Sequence, residues 1–133
     1  MDSNYKHWFS ALFIEYRLKN ISIYLDTNGE YYSYIPEREV HLPKNFRDNI
    51  TEWGMFAFLH EIGHIMTNTT KMKRYQQEFL ATQWAIDTAK ELQFKISPET
   101  IDIYQQYILK WRETSIKLKA KNVATKRSLL LTV

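Results

Sequence analysis

Apolar positions recur every third or fourth residue near the start of the chain. Tyr5, Trp8, Phe9, Leu12, Phe13 and Tyr16 share one helical face. That spacing predicts a helix over about residues 3–19, with Asp2 or Ser3 placed to cap it. The period then changes. Ile21, Ile23 and Leu25 alternate with Ser22 and Tyr24, the two-residue rhythm of a strand. Asn28-Gly29 tolerates positive φ at both positions and predicts a hairpin, with residues 31–35 as the return strand. Residues 39–42 read as a short third strand, and Pro36 and Pro43 on either side place it at an edge. From about Thr51 the helical period returns. It predicts helices over about 51–67, about 71–94, and from Ser97-Pro98-Glu99 to about 118. The fold class is therefore α+β: an N-terminal helix, a small antiparallel or mixed sheet of about three strands, then three helices.

Composition adds limits. At 133 residues the chain has the length of one domain, taken as residues 1–118 with a basic tail at 119–133. Aromatic residues are frequent, while Gly and Pro number three each, which favours a packed, helix-rich fold over a disordered one. The absence of cysteine excludes disulfides, thiolate metal sites and cysteine nucleophiles. Charge interrupts the first 20 residues too often for a signal peptide, and no apolar run suits a membrane span, so a cytoplasmic location is expected. The charge is unevenly spread. Residues 110–133 carry seven Lys or Arg and one Glu, whereas residues 1–109 are net acidic. Such a tail could touch nucleic acid, acidic lipid or an acidic protein face. No aromatic residues interleave Lys117, Lys119, Lys121, Lys126 and Arg127, so the nucleic-acid signal is poor and a solvated end is the plainer reading.

One string carries chemistry: His60-Glu61-Ile62-Gly63-His64, an H-E-x-x-H on a predicted helix. Residues four apart lie one turn above each other, so both imidazoles can reach one ion. Zinc accepts neutral imidazole nitrogen, and Glu61 is placed to take a proton from activated water and pass it to a leaving amine. With Phe58 at zero, Met55, Phe58, Leu59, Ile62, Ile65 and Met66 fill an arc of about 120°, while the histidines fall at about 200° and 240°. The helix thus has its own core stripe, and the histidines are not part of it. The plain alternative is two surface histidines beside a surface glutamate.

Such a site needs a third protein ligand, and no histidine follows His64. Glu78 is the leading candidate. Ala81, Thr82, Ala85, Ala89 and Leu92 cluster within about 60° of it on the next helix. A carboxylate amid small and apolar residues must be paired or bind metal once buried. An ordinary salt bridge is the alternative role for Glu78, and Glu52 and Asp87 are weaker ligand candidates.

These residues resemble the ImmA/IrrE family of zinc metallopeptidases, which are common on phages and mobile elements. The likeness rests on His60-Glu61-Ile62-Gly63-His64-Ile65-Met66 and on Glu78-Phe79-Leu80-Ala81-Thr82-Gln83-Trp84-Ala85, and spans roughly residues 5–94. The family pattern is H-E-[IL]-G-H followed by E-x-x-A-N/D-x-[FW]-A; Thr82 departs from it, where Asn or Asp is frequent. The resemblance implies a zincin-like metallopeptidase minidomain, Zn2+ held by His60, His64 and Glu78, and Glu61 as the base. It also implies a repressor-like regulatory protein as substrate, cleaved by metal-activated water attack. A zinc-containing binding protein that sequesters such a partner without cutting it is the competing function.

An extended substrate is expected to add to the edge strand at 39–42, so that Val40→Pro would abolish cleavage. Tyr75, Tyr104 and Tyr107 are possible oxyanion donors, and nothing in the sequence selects among them. His41 reads as a surface or packing histidine, His7 carries no signal, and Trp8, Trp53, Trp84 and Trp111 read as core or packing residues.

Overall fold

The computed structural model describes residues 3–68, 70–115 and 129–133. Helix α1 (Ser3–Leu18) leads into strands β1 (Ser22–Thr27), β2 (Tyr32–Tyr34) and β3 (Glu39–Pro43). A 3-10 turn at Phe46–Asp48 precedes helices α2 (Glu52–Thr67), α3 (Arg74–Glu91) and α4 (Pro98–Ser115). The α+β layout read from the pattern is the one observed. Of the tail, residues 116–128 lie outside the described residues. No helix among the described residues is long and apolar enough to cross a membrane.

The strand order corrects two expectations. It is β1-β3-β2, with β3 parallel to β1 and antiparallel to β2. The chain does turn at Asn28-Gly29, where Gly29 takes φ +107° and Thr27 Oγ1 donates to the Glu30 carbonyl. The strands joined there do not pair, because β3 inserts between them. The tight hairpin is β2–β3 instead. Arg38 N–H donates to the Ile35 carbonyl across Pro36, the preferred proline position of such a turn, and Arg38 takes φ 56°. Residues 39–42 are thus central and not at an edge. Pro36 lies in the turn and Pro43 is the last strand residue, so neither removes a donor from the middle of the ladder. Val40 and Leu42 are fully buried and belong in the most covered strand. The Val40→Pro test loses its premise, since the strand edge that borders the motif helix is β2.

Helix α2 is the centre of the molecule. Thr51 caps it by accepting from Gly54 N–H, and Asn68 ends it in the left-handed conformation. Every residue from Gly54 to Ile65 is buried. Its apolar stripe joins Phe9, Leu12, Phe46, Val40 and Leu42 in one core. The opposite face, carrying the histidines, is covered too, and contact with α3 is the reason it can be. A methyl group on Gly63 would lie 2.6 Å from the Ala81 carbonyl oxygen, so the two helices meet backbone to backbone.

Two polar devices fix α4. The Glu52 carboxylate in the first turn of α2 accepts from the Ser97 backbone N–H, from Ser97 Oγ at 3.2 Å and from Thr100 Oγ1 at 3.1 Å. Residues 129–133 lie along α3 and α4. Gln83 exchanges two hydrogen bonds with the Thr132 backbone, and Gln105 bonds Leu129 and Leu131 in the same way. Leu129 is buried against Tyr75 and Ile108.

Candidate metal centre

The motif places His60 and His64 one turn apart on α2, and the Gly63–Ala81 contact brings α3 close enough for Glu78 to face them. His60 Nε2 lies 3.1 Å from Glu78 Oε1, and His64 Nε2 lies 3.3 Å from Glu78 Oε2. All three side chains are buried, with ligand atoms within 4.8 Å of one another. This is the one such group of His, Asp and Glu among the described residues.

The arrangement fits a metal better than it fits a plain hydrogen-bonded triad. His60 Nε2 is buried and has no hydrogen-bond partner despite its nearness to Glu78. An orphaned imidazole nitrogen costs free energy. Two imidazoles and a carboxylate turned toward one point form the donor set of a divalent transition metal. Without an ion, charge pairing holds the cluster. Burial opposes ionisation of Glu78, yet the nearby charge of His60 and His64 keeps its carboxyl well below the usual range. Burial likewise opposes the charged form of His60, but Glu61 and Glu78 raise it to about 9.

Neighbouring groups orient these residues. Arg74 Nε donates to Glu78 Oε2 at 2.8 Å, one turn before it on α3, with its guanidinium over the Trp111 ring. Ser33 Oγ on β2 donates to Glu61 Oε1 at 2.9 Å, while Glu61 Oε2 lies 3.4 Å from His60 Nδ1. Arg74 carried a legible signal, the i,i+4 spacing to Glu78. Ser33 carried none, because its contact crosses 28 positions of sequence. Since Arg74 holds one carboxylate oxygen in place, Arg74→Ala should weaken zinc binding by about tenfold, read by competition with a chelator of known affinity. Unchanged affinity would make the Arg74 contact incidental.

Other candidates are sorted by position. Glu52 is occupied at the start of α4, and exposed Asp87 pairs with Gln83, so neither reaches the cluster. Tyr104 packs against the His60 ring at 5.0 Å, and Tyr107 lines the same cavity. Burial first, then the charges of Glu61 and Glu78, pushes the Tyr104 phenol well above its ordinary value, so it stays a donor at neutral pH. Tyr75 packs with Ile108 and Leu129 instead. Trp8 and Trp84 pack against the main core, and Trp111 against the smaller cluster that holds Tyr75. Trp53 packs on the Tyr104 ring at 5.3 Å but is not a core residue: it is 40% exposed where it lines the cavity.

His41 lies in β3 between stacked Tyr24 and Tyr32, with Nδ1 2.9 Å from Asp26 and Nε2 3.1 Å from Glu39. Burial disfavours its charge, but the two carboxylates win and raise its pKa. A raised value means that the protonated histidine stabilises the fold fully below its unfolded pKa of about 6.5, and that this is lost as pH rises through the folded value. The melting-temperature gap between the wild type and His41→Gln should therefore shrink from about pH 6 to about pH 9. A gap independent of pH would show that stacking alone matters.

No family model, curated protein or solved structure matches this chain.

Proposed function

We propose that the chain is a zinc-dependent endopeptidase of the ImmA/IrrE type, acting on a regulatory protein such as a repressor. The observation that carries this reading is the buried convergence of His60, His64 and Glu78 beside a glutamate held separately by Ser33. A site that only bound metal for stability would have no use for a fourth residue, a second carboxylate oriented independently of the ligands.

In this reading His60, His64 and Glu78 hold Zn2+, which when bound polarises water and the substrate carbonyl. Arg74 fixes the Glu78 carboxylate. Glu61 takes the proton released by the attacking water and delivers it to the leaving amine. Ser33 holds the Glu61 carboxylate from the side away from His60. Tyr104 offers a phenolic donor toward the same space. The supporting experiment is metal content. Purified protein should hold about one zinc per chain, and Glu78→Ala should hold almost none. A wild type that takes up no zinc when supplied with it would end this reading.

A further inference from the structure

Beside Glu61 and His60 the surface opens into a cavity of about 350 Å³. Ala57 of α2 forms its floor; Trp53, Ile103, Tyr104 and Tyr107 form its walls. Trp53, Ile103 and Tyr107 are 40%, 54% and 45% exposed. Large apolar side chains left open to water at one concave place are unfavourable unless something covers them. Three of the exposed large hydrophobic residues thus gather where the chemistry is placed. The volume matches a small-ligand pocket, and no Lys or Arg lines it. An acidic side chain seated among these apolar walls would lose its water without gaining a partner.

The opposite side of Glu61 differs. A smaller groove of about 190 Å³ between β2 and the start of α3 is lined by Ser33, His64, Arg74 and Gln77, and is polar. The two sides of Glu61 therefore offer unlike surroundings to the two residues that flank a bond positioned there.

We infer that the cavity between α2 and α4 selects a bulky apolar side chain, such as Phe or Leu, immediately beside the bond to be cleaved. This rests on the metallopeptidase reading above. It adds a substrate class, assigning specificity to Trp53, Ala57, Ile103 and Tyr107. The aromatic walls suit a ring, and removal of apolar surface from water drives its entry.

The test uses the zinc-loaded full chain and short peptide hydroxamates bearing Phe, Leu, Ala or Glu next to the hydroxamate, with affinities from titration calorimetry. Phe and Leu should bind at least about tenfold more tightly than Ala, and Glu most weakly. Ile103→Glu, on the exposed wall, and Ala57→Leu, which fills the floor, should each reduce the preference for Phe to about threefold or less. Because Ile103 is exposed, its variant keeps the test valid if Ala57→Leu fails to fold. Equal affinities across the series on zinc-loaded protein would overturn the selectivity and leave the metal reading standing, as would a Phe preference untouched in Ile103→Glu. Failure of zinc-loaded protein to bind even acetohydroxamate would overturn the open metal site and the selectivity with it.

Discussion

Glu61→Gln should lower peptide hydrolysis by about 10²–10⁴-fold while zinc content stays at about one per chain. The substitution is nearly isosteric, and its amide oxygen can still accept from Ser33, so the local geometry survives. What is lost is the ability to take a proton. The measurement is cleavage of a mixed peptide pool by zinc-loaded wild type and variant, with metal assayed on the same samples. A variant that cuts as well as the wild type would remove Glu61 from the chemistry. A variant that loses its zinc would make Glu61 a structural residue. If the biological effect of the protein survives the change undiminished, the sequestering function is the correct one.

Gly63→Ala should destabilise the fold and weaken the metal centre together. Helix propensity alone favours Ala by about 1 kcal/mol in a helix interior. Against that, the new methyl would lie 2.6 Å from the Ala81 carbonyl oxygen, with further Ala81 backbone atoms at 3.2 Å. A side chain can rotate away, but a helix backbone cannot, so α3 must retreat. Overpacking costs of about 1–3 kcal/mol, or more where only backbone can yield, exceed the propensity gain. We expect a melting point lower by on the order of 5 °C and zinc affinity reduced by at least about tenfold, because Glu78 moves with α3. Gly54 is a useful contrast. A methyl there meets mainly the end of the Tyr31 side chain at 3.0 Å, which can shift, so Gly54→Ala should be milder. Equal effects at the two positions would contradict the backbone argument.

The helices were legible because their apolar residues repeat over several turns, and Ser97-Pro98-Glu99 marks the start of α4. The site was legible for a related reason. His60, Glu61 and His64 lie within one turn and a half, so sequence spacing is spatial spacing. Glu78 could be singled out because a carboxylate among Ala81, Thr82, Ala85 and Ala89 implies a buried, close-packed helix face. The sheet order was not legible. Asn28-Gly29 signals a turn, but a turn does not decide which strands pair, and the pairing of Ser22 with Glu39 depends on where β3 is buried. The burial of the histidines was missed as well. A helical wheel reports one helix, whereas covering that face took α3, α4 and β2 together.

The Glu52 carboxylate ties the first turn of α2 to the first turn of α4. Trp53 follows Glu52 directly, and Ile103 and Tyr104 lie one turn beyond Thr100, so the cavity walls grow from this joint. Seen as moving parts, the walls are two levers with a common fulcrum. Admitting a wider guest requires α4 to swing about that point or to break the bonds to Glu52 altogether. The first is a small collective motion on the microsecond to millisecond scale; the second is a local opening with its own free-energy cost. The joint thereby turns the choice of guest into a question of how far, and how fast, one helix can pivot.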